Sequence, residues 1–444
     1  MRTIYTLVMY VLTPVILYRL AARGLKAPAY FARWKERFGW FKAPDMQGSI
    51  WVHTVSVGEF NTAIRLIRTL MEAHPDRTFV VTTVTPTGSE RVCKVMGDKV
   101  FHVYLPYDLP AAVGRFLDRI QPAIGVVMET EIWPNLFFAC QRRNIPVVVA
   151  NARLSERSLR GYRPVRKLAA MALNCATAVA AQTRLDAQRL LALGGRPRIL
   201  KVAGSLKYEM DIAPDLIDQG QAMRQQWGED RFVFVAASTH EGDEAPAIEA
   251  FEALKKVAPN ALMVLVPRHP ERFDAAFERC AAAGFLCQRR SVRLADASTD
   301  CFIVDTMGEL LLFYTTADVA FVGGSFARIG GHNVMEASIL SVPVLIGPHT
   351  FNFSELNQKL LEAGGALQFA APEELASALV QLNKDKRLRE QMGIAGRNLV
   401  LAHQGAARRV TLMVERALAR SENKNSTKSD PERHQQQKAA KHAL

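Results

Sequence analysis

The sequence predicts an α/β protein made of two Rossmann-like domains, with an apolar helix ahead of them. Three observations carry that expectation. Short apolar runs alternate with helix-period segments along the middle of the 444-residue chain, the pattern of parallel sheets covered by helices on both faces. The runs fall into two series, separated between Met210 and Asp230 by the polar stretch IAPDLIDQGQAMRQQWGED. The length itself favours two or three domains at roughly 150 residues each.

Residues Ile4 to Tyr18 carry no charge between Arg2 and Arg19. A helix over that run is roughly 22 Å long, short against a hydrocarbon core of about 30 Å. The run ends in Tyr18-Arg19 rather than in a small-residue cleavage site, so an uncleaved anchor is expected over residues 1–22. Arg19, Arg23, Lys26, Arg33, Lys35, Arg37 and Lys42 follow, interleaved with Tyr30, Phe31, Trp34, Phe38, Trp40 and Phe41. Basic and aromatic residues mixed in this way belong at the cytoplasmic edge of a bilayer. Nucleic acid is the other partner such a stretch can serve. The anchor just upstream decides for anionic lipids of the inner membrane and against nucleic acid.

The first series of strand candidates is Ser49–Val52, Thr78–Thr83, Val100–Tyr104, Ile124–Met128, Pro146–Ala150 and Ala178–Ala181. The second is Phe232–Ala236, Leu262–Val266, Cys301–Val304, Val319–Val322 and Val344–Ile346. Helical segments lie between most of them, such as Asn61 to Met71 with Ile64, Ile67, Leu70 and Met71 on one face. The first domain is expected over 23–212 and the second over 213–420, with its last helices free to pack back on the first. The polar end, 421–444, is expected to be disordered. Two facing domains of this kind would hold their site in a cleft, at the C-terminal ends of strands.

Composition removes several classes. A hydrophobic fraction of 49% and 22% charged residues exclude a largely disordered chain. One apolar stretch excludes a polytopic transporter. The six cysteines, Cys93, Cys140, Cys175, Cys280, Cys287 and Cys301, form no C-x-x-C pair and suit buried thiols in a reducing compartment. The net charge of +13 favours an anionic partner. There is no G-x-G-x-x-G after the first strand, no P-loop, no H-E-x-x-H and no D-x-D pair. No cofactor and no metal are therefore expected.

What remains is a set of polar loops after strands. His53-Thr54-Val55-Ser56-Val57-Gly58-Glu59 ends the first. A carboxylate in a first helical turn is often only a dipole partner, but at a cleft it can act as a general base. Glu129-Thr130-Glu131 closes an apolar strand, and in an extended run both carboxylates point to one side. Asn151-Ala152-Arg153-Leu154-Ser155-Glu156-Arg157 opens a basic stretch continuing through Arg160, Arg163, Arg166 and Lys167. Arg pairs bidentately with phosphate, so Glu129, Asn151, Arg153 and Arg157 are candidate acceptor-binding residues. In the second series, strand ends carry Ser238 and Thr239, Pro267 and Arg268, Met307 to Glu309, and Gly324 and Ser325. Gly330-Gly331-His332-Asn333-Val334-Met335-Glu336 then opens a helix. Glycines admit a ligand to backbone N–H groups, a helix N-terminus attracts phosphate, and a carboxylate at Glu336 can accept both hydroxyls of a ribose.

Taken together, HTVSVGE, ETEIWPN, NARLSERS, AGSLKYE, STHEGDE, PRHPERF, DTMGEL, GGSF and GGHNVMEAS make the chain similar to the 3-deoxy-D-manno-octulosonic acid (Kdo) transferases of bacterial lipopolysaccharide synthesis. The resemblance runs from the anchor to about Arg420. It implies a GT-B fold and metal-independent transfer of Kdo from CMP-Kdo to the lipid A precursor lipid IVA, with CMP released and the anomeric centre inverted. On that resemblance Glu59 matches the catalytic base, and Glu131 and Lys207 match positions that stabilise the transition state. Pro267, Arg268, Met307, Gly308, Glu309, Asn333, Val334, Met335 and Glu336 match the CMP-binding segments. Ser238, Thr239, Gly324 and Ser325 join the donor side by their place at strand ends. The competing classes are another GT-B enzyme working on a UDP-sugar, which shares the second-domain glycines and Glu336, and a membrane-tethered nucleotide- or nucleic-acid-binding protein. The Glu129/Glu131 pair behind an anchor fits neither.

Overall fold

The computed structural model describes residues 1–210 and 212–429. The chain forms two compact units, one of Met1–Glu209 joined by the chain from Gln404 onward, the other of Met210–His403. Each is an open, wholly parallel sheet of seven strands between helical layers.

In the first unit the strands are β1 Ser49–His53, β2 Phe79–Thr83, β3 Phe101–Tyr104, β4 Pro122–Met128, β5 Val147–Ala152, β6 Ala178–Ala181 and β7 Leu200–Val202. Their spatial order is β3-β2-β1-β4-β5-β6-β7. Burial on both faces follows from alternation: Ile50 and Val52 point into one apolar layer and Trp51 into the other. The same split places Val147 and Val149 opposite Val148 and Ala150. A two-sided sheet leaves no polar face, which is why these strands read as continuous apolar runs. Trp51 fits because its register partner is Gly125, where a Cβ would stand 2.7 Å from the indole ring.

In the second unit the strands are β8 Val233–Thr239, β9 Leu262–Pro267, β10 Cys287–Arg289, β11 Cys301–Ile303, β12 Val319–Val322, β13 Val344–Ile346 and β14 Ala366–Gln368. Their order is β10-β11-β9-β8-β12-β13-β14. Strand order reverses between β1 and β4 in the first sheet and between β8 and β12 in the second. Adjacent loops leave in opposite directions there, which opens a crevice at the strands' C-terminal ends.

Helix α1, Arg2–Lys26, precedes the first sheet, and α2, Val57–Ala73, follows β1 with Phe60, Ala63, Leu66, Ile67 and Leu70 buried. The segment α1 is longer than the apolar run alone, because the flanking Arg-rich residues continue the helix.

Several sequence expectations change. The stretch taken as a polar hinge contains the helix Pro214–Trp227, whose Met223 and Trp227 are buried in the second unit's core; polar side chains mark its outer face. The return of the last helix to the first unit, which the sequence reading allowed for, begins at Gln404. There Ala406, Val410 and Val414 of the helix Ala406–Ser429 enter the apolar layer over β1 and β4. That packed beginning carries helix into residues 421–429, where disorder was expected, since extending a formed helix is far easier than starting one. The remainder of the expected tail, 430–444, lies outside the described residues. In the basic neck, Arg37 is buried and donates to the Val84 carbonyl. Arg33 pairs with Glu36 and donates to the His102 carbonyl. Those two cations serve the body, whereas Lys35 and Lys42 stay exposed.

Candidate active site

Glu59 is the third residue of α2. Ser56 caps that helix, accepting from the Glu59 N–H at 3.4 Å. The Glu59 carboxylate turns back to accept from the Val55 N–H at 2.8 Å. Taken alone this is a helix cap. What distinguishes it is electrostatic: burial, opposed by the Val55 hydrogen bond and aided by the charges of Glu129 and Glu131, lifts the carboxyl from 4.5 to about 7. A carboxyl poised near neutrality can hold or release a proton at working pH.

Glu129 and Glu131 arrive by a different route from the one expected. The run does not stay extended. The strand stops at Met128, and Glu129 takes a left-handed conformation with φ 56°. Glu131 is raised by burial and by Glu129, while the Trp133 indole leans the other way. That indole N–H is buried and does not reach a full hydrogen bond. Thr130 locks this loop to the next: its hydroxyl bonds the Arg153 carbonyl and accepts from the Arg153 N–H at 3.1 Å.

At the end of β5, Asn151 also has a left-handed backbone, φ 56°, where the pairing of β5 with β6 shifts register. Its side chain is buried and accepts from the Leu206 N–H at 3.0 Å, while its amide nitrogen has no partner. Asn151 thus braces the turn Leu206–Tyr208. It is not an exposed acceptor contact. That turn packs against α2 and presents Lys207 to solvent. Glu59, Glu129, Glu131, Arg153 and Lys207 are therefore gathered at the switch point of the first sheet. Arg157, Arg160, Arg163, Arg166 and Lys167 lie exposed beyond it. Tyr162 among them lies within electrostatic reach of Glu131: its hydroxyl is raised by burial and by the charge of that carboxylate. Tyr162 escaped the sequence reading because an aromatic among arginines carries no motif.

The second unit's strand ends are organised by a residue the sequence reading passed over. Asp243 is fully buried. Its carboxylate accepts from the backbone N–H groups of His240, Gly324, Ser325, Phe326 and Ala327 at 2.7–3.2 Å. The Gly324 and Ser325 amides expected to meet a ligand are thus committed to Asp243. Ser325 is itself buried, with its hydroxyl donating to Val322 and accepting from Gly347. The neighbouring Gly323 is required by packing, since a Cβ there would stand 2.6 Å from the Ser238 carbonyl oxygen. Ser238 is left-handed, φ 51°, at the register shift between β8 and β9, and Thr239 is buried with an unpartnered hydroxyl.

Around this hub three imidazoles meet. His240 and His332 stack with their Nε2 atoms 2.9 Å apart, and His269 lies edge-on to His240. Burial, with Arg268 and the other imidazoles adding to it, brings His332 down to about 4, so the stacked pair is neutral at pH 7. Arg268 is exposed, its N–H bonded to the Thr239 carbonyl at 2.9 Å. Its charge also reaches Glu336, lowering a carboxyl that burial raises. Glu336 accepts from the Asn333 amide at 3.1 Å. The helix it belongs to, Met335–Ile339, has only five residues and begins one residue before it, so its N-terminus is a single turn rather than a long dipole. Pro267 is buried at the end of β9, and Val334 and Met335 are buried in the core. Glu309 is held by Arg290 at 2.9 Å and by Thr306, bonds that outweigh the upward push of burial. Met307 and Gly308 stand open to solvent beside it.

A family model described as 3-deoxy-D-manno-octulosonic-acid transferase matches residues 32–210. The chain is 38% identical to a 3-deoxy-D-manno-octulosonic acid transferase of Haemophilus influenzae, over 95% of this chain and 99% of that protein. It is 37% identical to one of Bordetella pertussis, over 92% of this chain and 97% of that protein. Among solved structures, Acinetobacter baumannii MurG superposes with a TM-score of 0.53 at 13% identity, covering 83% of this chain and 99% of that one, a likeness of GT-B fold alone. With strand-end carboxylates in one unit, a polar hub in the other, and that level of identity along nearly its whole length, the chain belongs to the 3-deoxy-D-manno-octulosonic acid (Kdo) transferase family of glycosyltransferases.

Proposed function

We propose that this enzyme is an inverting, metal-independent transferase that moves Kdo from CMP-Kdo to lipid IVA and releases CMP, working at the cytoplasmic face of the inner membrane. The observation that carries this reading is Glu59, a carboxyl near neutrality beside Glu129 and Glu131. In the proposed step Glu59 takes the proton of an acceptor hydroxyl. The freed oxygen pair forms a bond to the anomeric carbon from the face opposite CMP. The bond from that carbon to the CMP phosphate oxygen breaks, and its pair leaves with CMP.

Such a displacement builds positive charge on the sugar and negative charge on the departing phosphate. Glu131, with Glu129 beside it, offsets the first, and Arg268 and Lys207 offset the second. Fixed charges act best where water is excluded. Glu336, Asn333, Met307 and Gly308 are the second unit's contacts for the nucleotide. The exposed cations from Arg153 to Lys167 suit the phosphates of the acceptor.

The test is mass-spectrometric transfer. Protein in detergent is given tetra-acylated lipid A precursor and freshly made CMP-Kdo, with a chelator present. A mass gain on the lipid that needs CMP-Kdo and survives chelation supports the proposal. No gain, from folded protein that binds CMP, overturns the acceptor or the donor assignment.

A further inference from the structure

We infer that α1 lies flat in the lipid–water interface as a fixed part of the first unit, and does not cross the bilayer. The inference rests on the membrane reading above and adds a geometry to it. By length and composition α1 is able to span: Arg2–Leu25 has 24 residues and a mean hydropathy of 1.6, about 36 Å at 1.5 Å per residue. Its attachments argue otherwise.

The first turn is bonded to the body. Tyr5 donates its hydroxyl to Asp108 at 2.9 Å. Thr6 donates to Asn135 at 3.0 Å, and Arg2 to the same oxygen at 3.4 Å. Both receivers are buried, and Asp108 also accepts from the Asn135 and Leu136 N–H groups. The Arg2 guanidinium lies over the Phe138 ring as well.

These bonds are not a local snag. Arg2, Tyr5, Met9, Thr13, Ile16 and Leu20 recur every three or four residues and are all sheltered, as are Thr6 and Gly24 beside that stripe and Ala22 near the helix end. One stripe therefore faces the protein from the first turn to the last. Mid-helix, Thr13 and Pro14 share a groove with Leu109 and Ala112. At the far end Gly24 lies under the Phe31 ring, so close that a Cβ would stand 2.5 Å from it. A spanning α1 would carry its first turn across a hydrocarbon layer of about 30 Å. All three first-turn bonds would then break.

The opposite face is bare hydrocarbon: Ile4, Leu7, Val11 and Tyr18 are each at least 65% exposed. Its occupant is a leaflet of anionic lipid. Arg19, Arg23, Lys35 and Lys42 are exposed at and just beyond its C-terminal end, with Trp34 and Phe31 among them. An apolar face next to cations and aromatics is the composition of a helix that lies in the headgroup region.

The test reads depth along α1 in the full chain, reconstituted into phosphatidylethanolamine–phosphatidylglycerol vesicles. The accessible Cys93, Cys175 and Cys287 are replaced, and spin labels are placed one at a time from Thr3 to Leu25. Depth that oscillates with a period near 3.6 residues, deepest at Ile4, Leu7, Val11 and Tyr18, is expected. Depth that rises smoothly to one mid-helix maximum overturns the inference and leaves the membrane reading standing. Labels that never meet lipid overturn both and point to a protein partner over this face. An independent readout keeps the native cysteines: an epitope ahead of Met1 should be reached by antibody in inverted vesicles and not in intact spheroplasts. Staining of intact spheroplasts refutes the flat geometry.

Discussion

Replacing Glu59 by Gln separates a catalytic base from a helix cap. Gln keeps an oxygen for the Val55 N–H and loses only the charge. Folding raises the Glu59 carboxyl from 4.5 to about 7, which corresponds to roughly 3 kcal/mol at 1.36 kcal/mol per pH step. The carboxyl is only partly buried, so solvent screening reduces this to about 1–2 kcal/mol. The sign follows from proton counting. Between pH 4.5 and 7 the folded protein holds a proton that the unfolded chain has released, so stability falls as pH rises through this window. Above pH 7 the full penalty is present. Glu59→Gln should therefore match the parent near pH 4.5 and exceed it at pH 8. In a unit of this size the gain is about 2–4 °C in Tm per kcal/mol. Turnover should fall by about 10²–10⁴-fold, the usual worth of a positioned general base, with CMP affinity unchanged. The parent's kcat/KM should climb through an acid limb near pH 7, because the base must first lose its proton. Calorimetry at the two pH values, beside transfer rates, decides the matter. A variant that is less stable at pH 8 and loses CMP binding would make Glu59 a structural cap and refute the reasoning.

Three further outcomes follow from the geometry. Asp243→Ala strands five backbone N–H groups, each worth about 1–3 kcal/mol when buried without a partner. The second unit should unfold well before the first in a thermal scan, and two coincident transitions would count against this. Asn151→Ala removes the brace on the Leu206 turn; turnover should drop about tenfold or more while the CMP Kd holds, because Lys207 loses its placement and the nucleotide contacts do not. Glu336→Gln removes a charged acceptor, and hydrogen bonds to charged groups are worth about 1.5–3 kcal/mol. The CMP Kd by titration calorimetry should rise roughly 10- to 100-fold, and an unchanged Kd would remove Glu336 from the nucleotide site.

How much of this was legible in the sequence depended on whether the signal was local. Central strands such as Ile124–Met128 are buried on both faces, so they stand out as apolar runs. The strands missed, Leu200–Val202, Cys287–Arg289 and Ala366–Gln368, are three residues long and sit at sheet edges. Lys201 and Leu367 in them face solvent, and no apolar run remains to be read. Glu59 was legible as a polar residue just past a strand. Asp243 was not, because a carboxylate in a first helical turn looks like an ordinary dipole partner, and four of its five donors lie 81–84 residues away.

The same argument explains why the local geometry at the strand ends could not be read from the sequence. Glu129, Asn151 and Ser238 were all chosen from sequence, on the premise that strands run out into polar loops. Each instead turns left-handed at the end of its strand, at φ 51–56°, a conformation unfavourable for residues other than glycine. Neighbouring bonds hold them there: Thr130 to Arg153, Asn151 to Leu206, and Asp243 to the β12 loop. Those bonds join residues distant in sequence, so no window of the chain announces them. Backbone strain collects where structure is held for function. Three such residues at the C-terminal ends of β4, β5 and β8, two of these strands flanking the sheets' switch points, therefore support the site independently of any motif. The left-handed turn at Glu129 leaves Glu129 and Glu131 within electrostatic reach of Glu59, where their charges add to the burial that already raises its carboxyl.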